Sequence, residues 1–421
     1  ASHLYSSGCD YTRTTGIWQT VYLEFVKDGF IDDLHIQPDF NNCQVTISGL
    51  INKKAPVSRS RGNLAAQVRL GSEVVGEGKV EFSWGKFLFT IPLNRKVPWD
   101  IGQGHLYDLD LYYTDSEGSV DCLQTYFGLR ALEIGDGKVF LNNRPIFQRL
   151  VLDQGYYRDG IYTAKDEALL KKDIELSLKL GFTGARMHQK VFEPRYLYYA
   201  DKLGYLTWAE FGSWGLNLDE RAWKNILGQW IETVKRDRNH PSIITWCPLN
   251  ETYDGQDREL LKALYTITYD LDGSRPVIDT SGYVHVITDI YDTHDYIQDI
   301  ESYKKRFHKK ELPVNYPEFE KYEGQPYIVS EYGGIWWSKS DENNWGYGDR
   351  PKSEAEFMER LDGLTTTLLE CPRVSGFCYT QLYDVEQEVN GLLDYDRNPK
   401  FSYESIHEIL TKKAKIEETN Q

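Results

Sequence analysis

Two textures of hydrophobic and polar positions divide this chain. Between Val21 and Leu129 apolar residues alternate with polar ones in short runs, as in Gln44-Val45-Thr46-Ile47-Ser48-Gly49-Leu50, Ala65-Ala66-Gln67-Val68-Arg69-Leu70 and His105-Leu106-Tyr107-Asp108-Leu109-Asp110-Leu111. The runs recur at roughly ten-residue spacing between Gly, Pro, Asn and Asp, which predicts a small antiparallel sandwich of about a hundred residues, the size of an immunoglobulin-like domain. From Ile134 onward the texture changes. Apolar strands without alternation trade places with segments whose apolar residues fall at helical spacing, such as Leu169, Leu170, Ile174, Leu176 and Leu178. An unalternating strand must be covered on both faces, as in a parallel sheet wrapped by helices.

The cycle runs from a first strand at Pro145–Leu152 and a helix at Lys165–Leu180 through strands Phe182–Met187, Leu206–Phe211 and Ile243–Leu249. Weaker strands follow at Pro276–Thr280 and near Val284–Ile290, then one through Glu331 and one at Val374–Tyr379. Eight strands with right-handed crossovers close into a (β/α)8 TIM barrel. The predicted fold class is therefore an α/β barrel over residues 134–421, preceded by an immunoglobulin-like β-sandwich over 21–133. Residues 1–20 are polar and too short to bury a core. The stretch from Gln298 to Gly324 reads as a long loop.

Candidate chemistry sits where two of these strands run out. Ile243-Ile244-Thr245-Trp246-Cys247-Pro248-Leu249 ends in Asn250-Glu251, and Tyr327-Ile328-Val329-Ser330 ends in Glu331-Tyr332-Gly333-Gly334. A lone Glu is most often a solvated surface charge. Here each follows a buried strand at its carboxyl end, where α/β folds hold their sites, and 80 positions between them leave room for about three strand–helix repeats. Both carboxylates then line one mouth. Arg186 and His188 end the second strand, and Glu210, ending the third, either meets substrate or pairs with Arg186. His240 reads as a turn cap.

Composition narrows the partners. A net charge of −16 disfavours nucleic acid and anionic membranes, and no stretch approaches the ~20 apolar residues that span a bilayer. Eleven Trp and thirty Tyr exceed what a core needs; stacking on sugar faces is one use of the surplus and rigid packing the commoner one. The six cysteines show no ligand or disulfide spacing, so buried free thiols in a reducing, cytoplasmic compartment are expected. The chain opens Ala-Ser-His-Leu-Tyr-Ser-Ser-Gly, in which no signal peptide is legible. No compact ligand cluster is visible, so neither a metal nor another cofactor is expected.

The stretches Asp10-Tyr11-Thr12-Arg13-Thr14-Thr15-Gly16-Ile17-Trp18-Gln19, Asn239-His240-Pro241-Ser242, Trp246 to Glu251, Ser330 to Gly334 and Asp394-Tyr395-Asp396-Arg397-Asn398-Pro399-Lys400, taken in order, resemble glycoside hydrolase family 2 over essentially the whole chain. That family includes β-galactosidases, β-glucuronidases and β-mannosidases. The resemblance implies a retaining exo-β-glycosidase with a carbohydrate substrate. Glu251 takes the acid/base role after strand four and Glu331 the nucleophile role after strand seven. It further implies that Asn250 donates to the sugar 2-hydroxyl, that an arginine, here Arg186, lies beneath the nucleophile, and that Tyr296 or His294 orients it. Trp336, Trp337 and Trp345, in the loop after Glu331, are candidates to floor the sugar site.

Two departures shape the expectation. β-Glucuronidases carry an Asn-x-Lys pair near the eighth-strand loop, whereas this chain has Glu386-Gln387-Glu388-Val389-Asn390-Gly391-Leu392, acidic and without lysine. That favours a neutral sugar, with β-galactosides first; the alternatives are a β-glucuronidase, β-glucosidase or β-mannosidase, and, in another class, a non-catalytic carbohydrate-binding protein. The eighth strand also reads Cys378-Tyr379-Thr380-Gln381 where many relatives place a tryptophan. Residues 1–20 resemble only the last strand of the family's amino-terminal jelly-roll. The chain is therefore expected to be a fragment, with its exposed surface covered by that domain or by another copy of itself.

Overall fold

The computed structural model describes residues 5–53, 61–216, 220–319, 321–338 and 343–418, with backbone alone for 53 and 220–222. Seven strands come first: β1 (Gly29–Asp39), β2 (Gln44–Lys53), β3 (Gly62–Leu70), β4 (Glu73–Phe82), β5 (Lys86–Pro92), β6 (Tyr107–Asp115) and β7 (Val120–Phe127). They form two antiparallel sheets, ordered β1-β2-β5 and β4-β3-β6-β7. The alternation reaches its purpose here: Val45 and Ile47 of one sheet and Leu64, Val68, Leu109 and Leu111 of the other share one buried core. A short antiparallel meander follows, β8 (Leu132–Gly135), β9 (Lys138–Leu141) and β10 (Arg144–Ile146). It claims Pro145, which the sequence pattern assigned to the first barrel strand. Val139, Leu141 and Ile146 pack with Trp99 against Leu150, Leu206, Trp208, Ile244, Ile328 and Cys378, so the meander plugs one end of the barrel.

The barrel strands are β11 (Gln148–Asp153), β12 (Gly184–Met187), β13 (Leu206–Glu210), β14 (Ile243–Cys247), β15 (Tyr291–Asp295), β16 (Tyr327–Gly333) and β17 (Val374–Thr380), all parallel in the order β14-β13-β12-β11-β17-β16-β15. Between and after them run α1 (Glu167–Leu180), α2 (Pro194–Leu203), α3 (Glu220–Asp237), α4 (Arg258–Leu271), α5 (Ile300–Phe307), α6 (Glu354–Glu370) and α7 (Tyr403–Leu410). Helix α1 starts where Asp166 accepts the Leu169 amide and stops at Gly181, whose φ of +103° suits glycine.

Three sequence expectations need correction. The fifth stave is not a strand: Val277 and Ser281 make isolated bridges to Trp246 and Asn250, because the Asp279 carboxylate takes the amides of Thr280, Val286 and Ile287 that a ladder would use. The sixth strand lies at Tyr291–Asp295 rather than at Val284–Ile290. The stretch read as a loop holds α5, capped by Asp299 and anchored by buried Tyr303 and Phe307.

The sandwich docks beneath β14. Asn239 accepts the Ile36 amide and donates to the Leu34 carbonyl, both at 2.9 Å, and Arg238 pairs with Asp33 at 2.8 Å. Buried Arg130 donates to the carbonyls of Pro241 and Ile243, at 2.7 and 2.8 Å. His240 meets Asp201 at 2.6 Å in the same junction, in keeping with a structural role. The six cysteines are all free, but only Cys247, Cys371 and Cys378 are buried; Cys122 is exposed and Cys9 and Cys43 are half-buried, against the expectation of buried thiols. Among the described residues no helix is long and apolar enough to cross a membrane.

Candidate active site

A cavity of about 440 Å³ opens at the carboxyl ends of the strands, and Glu251 and Glu331 both line it. Glu331 lies within β16, and Glu251 follows β14 in the left-handed region, with φ of +52°. Such a conformation is uncommon outside glycine and clusters where a side chain must be aimed. One oxygen of each carboxylate and a ring nitrogen of His294 all fall within 4.8 Å of one another. That spacing would suit a cation, and no sequence spacing announced it. In this fold the imidazole bridges the two carboxylates: His294 Nδ1 shares a hydrogen bond of 2.8 Å with Glu251 Oε1, and Nε2 lies in ion-pair range of Glu331 Oε1, at 3.3 Å.

Arg186 organises the floor. Fully buried, it donates to Glu210 Oε1 at 2.6 Å, the Ser330 carbonyl at 2.7 Å, Glu331 Oε1 at 3.1 Å and Asn250 Oδ1 at 2.9 Å. The other Glu331 oxygen accepts the Tyr296 hydroxyl at 2.5 Å, and Tyr296 stacks flat on Tyr347 at 3.5 Å. Burial alone would raise the pKa of Glu331, but the positive charge of His294 and Arg186 outweighs it and holds the group below the usual glutamate value. Tyr296 and His294, named as alternatives from the sequence, both reach Glu331.

The remaining candidates separate. His188 lines the cavity and lies 3.2 Å from Glu210. Glu210 itself turns to Arg186, His188 and the Gln189 amide, which makes it a structural counter-ion rather than a wall of the cavity; despite its burial Arg186 and His188 bring its pKa down to about 2. The Nδ2 of Asn250 is buried without a partner. None of the three tryptophans lines the cavity. Trp337 packs against the stacked pair Phe357 and Phe401, and Trp345 donates to the Gly8 carbonyl at 3.0 Å. Trp336 is tied to Asn344 at 2.9 Å. Aromatic lining comes instead from Tyr11, Tyr156, Tyr162, Trp214, Tyr296 and Tyr347.

Sequence reasoning also missed an entire wall. Residues Cys9, Asp10, Tyr11, Arg13, Thr14 and Thr15 line the cavity, brought there because the amino-terminal segment crosses the mouth. Glu386 accepts the Thr12 amide at 2.9 Å, Gln387 donates to the Gly8 carbonyl at 2.6 Å, and the Tyr11 hydroxyl donates to Glu388. Burial pushes the Glu388 carboxyl up to about 7, even against the hydrogen bonds from Tyr11 and Asn390. The only signal was that Asp10–Gln19 matched the family pattern while carrying no assigned chemistry.

Residues 132–338 match the family model described as glycosyl hydrolases family 2, TIM barrel domain. Among curated relatives, a beta-galactosidase of Thermoanaerobacter pseudethanolicus is 25% identical over 342 residues, covering 79% of this chain and 44% of the relative. A beta-galactosidase of Enterobacter cloacae is 28% identical over 291 residues, covering 64% and 28% respectively. The chain thus spans less than half the length of these relatives. Among solved structures, the β-glucuronidase of Ruminococcus gnavus in complex with D-glucuronic acid superposes with a TM-score of 0.75 at 17% identity, over 91% of this chain and 68% of that one. The β-galacturonidase of Eisenbergiella tayi bound to galacturonate gives 0.73 at 18% identity, over 91% and 73%. At such identities these two carry the fold alone.

Proposed function

The chain belongs to glycoside hydrolase family 2, and from that premise we propose that it is a retaining exo-β-glycosidase in which Glu331 attacks the anomeric carbon and Glu251 protonates the leaving oxygen. The observation that carries this reading is the approach of the two carboxylates to within 4.8 Å in one cavity. Retention needs carboxyl groups about 5 to 5.5 Å apart, whereas inversion needs roughly 6.5–9.5 Å to admit a water between them. Attack by Glu331 on the sugar carbon expels the aglycone with the proton of Glu251. Water, deprotonated by Glu251, then releases the sugar from Glu331. The depressed pKa of Glu331 supports the nucleophile role, since that group must be ionised at rest. The unpartnered Nδ2 of Asn250 supports its reading as a donor to the sugar 2-hydroxyl.

For the sugar, acidic Asp10 and Glu388 in the cavity wall favour a neutral glycoside over a uronide, and β-galactosides remain the first choice among neutral sugars because relatives are named beta-galactosidases. A β-uronide is the second reading, since Arg13 lines the same cavity and would pair with a carboxylate. A panel of nitrophenyl β-glycosides of galactose, glucose, mannose, arabinose, glucuronate and galacturonate decides among them. Absence of turnover on every one, by this chain and by any longer protein containing it, would favour a binding protein instead. The order of three strands facing four supports an immunoglobulin-like sandwich. Exposed Ile17, Val21, Tyr22, Leu23 and Phe25 support a covering partner, either a further domain or a second copy. Free cysteines support a reducing compartment.

Two measurements follow. Tyr296→Phe removes a hydrogen bond to an ionised group, worth about 1.5–3 kcal/mol. Its kcat is expected to fall by roughly 10- to 150-fold with the fold intact by circular dichroism, and a loss below threefold would count against the orienting role. Because the nucleophile's pKa is lowered in the folded protein, activity should persist below the ordinary glutamate value of about 4.3 and fade only as pH drops further. An acid limb of kcat/KM above pH 5 would contradict this.

A further inference from the structure

A second buried polar chain begins behind the cavity and ends on Glu251. Asp279 Oδ1 lies 2.9 Å from His285 Nδ1, and His285 Nε2 lies 3.0 Å from the Asp292 carbonyl and 3.2 Å from its Oδ1. Asp292 Oδ2 takes the Ser281 hydroxyl at 2.7 Å, and Ser281 Oγ stands 3.2 Å from His294 Nε2. Asp279, His285, Asp292 and Ser281 are each at most 2% exposed. The seat of the imidazole has no slack. Gly282, at φ of +97°, faces the ring so closely that a Cβ there would fall 2.6 Å from two of its atoms.

The arrangement determines where protons sit. A hydroxyl carries one proton, and a carboxylate at 2.7 Å is the strongest acceptor within its reach. Ser281 therefore donates to Asp292 and turns a lone pair towards His294. An acceptor at that place keeps a hydrogen on Nε2, and Glu331 Oε1, also on that side, reinforces it. With Nε2 occupied, the 2.8 Å contact between Nδ1 and Glu251 has a single proton to place, on the carboxyl or on the ring.

On the reading of Glu251 as acid/base, we infer that Asp292 and Ser281, backed by His285 and Asp279, are positioning residues that pin a hydrogen on Nε2 of His294, so that Nδ1 and Glu251 share the one proton the leaving group takes. When the anomeric C–O bond breaks, that proton passes from the pair to the departing oxygen. When water attacks the glycosyl-enzyme, the pair takes one proton back, and the balance closes over the cycle. The charged groups facing the imidazole are Glu251, Glu331 from β16, Arg186 from β12 and Asp292 from its own strand, with the Tyr283 ring 5.9 Å away. Burial would lower the proton affinity of His294, but Glu331 and Glu251 outweigh it and raise it above the ordinary histidine value. That suits a ring able to hold the shared proton.

Two readouts test the inference, one of them independent of turnover. In the full chain labelled with ¹⁵N-histidine, His294 is identified among nine histidines by its loss in His294→Asn. The wild type should show a protonated Nε2, whereas Ser281→Ala and Asp292→Asn should shift the ring towards the other tautomer. Unchanged ring-nitrogen signals in both variants would overturn the inference even if the enzyme is active. In kinetics, Ser281→Ala, the milder variant, should lose about 10-fold or more in kcat/KM with a phenyl or alkyl aglycone. With a dinitrophenyl aglycone, which departs without a proton, it should stay within about twofold, and the basic limb should move to lower pH. Equal losses on every aglycone with an unmoved limb would also overturn it. A wild type inactive on all glycosides would sink the glycosidase reading while the nitrogen spectra still decide this one.

Discussion

Replacing Glu331 by glycine is expected to lower kcat/KM by ~10⁵-fold, about 7 kcal/mol of transition-state stabilisation, because no second carboxylate can attack from that face. Azide should rescue the variant. It enters the space left by the side chain, displaces the aglycone with the proton still held by Glu251, and yields a glycosyl azide of inverted anomeric configuration. Glu251→Gly should behave differently. The glycosyl-enzyme still forms with an activated aglycone, azide then replaces water in its breakdown, and the product keeps the β configuration. The two products, distinguished by proton NMR, assign the roles separately. Residual activity of Glu331→Gly within tenfold of wild type, or the same anomer from both variants, would end the double-displacement reading.

The largest structural loss is expected from Arg186→Met. Side chains of three other strand ends, Glu210, Asn250 and Glu331, and the Ser330 carbonyl depend on this one guanidinium, which is fully buried. Removing one partner of a buried ionic group leaves charge stranded in low dielectric, at a cost of about 3–5 kcal/mol. The midpoint of urea unfolding should drop accordingly. Arg186→Lys should recover little of it, because an ammonium offers three donors from a single point and cannot span acceptors held in a fork. A change below 1 kcal/mol in Arg186→Met would show that Glu210 is neutralised by other means.

What the sequence disclosed, and what it hid, follows the physics of each segment. The strands through Trp246 and Val329 were legible because both faces are buried in apolar surroundings, so nothing but hydrophobic residues suits them. β15 was not. Its five residues are Tyr-Asp-Thr-His-Asp, all buried, and it survives inside the barrel because Asp292 meets His285 and Ser281 while Asp295 pairs with Arg306. A propensity reading sees a polar loop there. The amino-terminal wall was hidden for another reason: Tyr11 reaches the cavity through contacts with Glu388 and Gln154, far off in sequence, and no local period encodes them. Trp337 and Trp345 show the converse. A large aromatic on a loop near a cavity satisfies packing and stacking equally well, and only the partners, Phe357 and Phe401 for one and Gly8 for the other, tell which.

The junction under β14 reaches further than its location suggests. Arg130 grips the carbonyls of Pro241 and Ile243, the first link of the same rod whose far tip presents Asn250 and Glu251. The accessory module thus acts as a rear mount for Glu251, the proposed proton donor. A slip of one ångström at that mount would leave the barrel standing yet spoil the aim at the glycosidic oxygen, where misplacement on that scale costs about a hundredfold in rate. Selection on catalysis would then extend to a surface that never meets sugar.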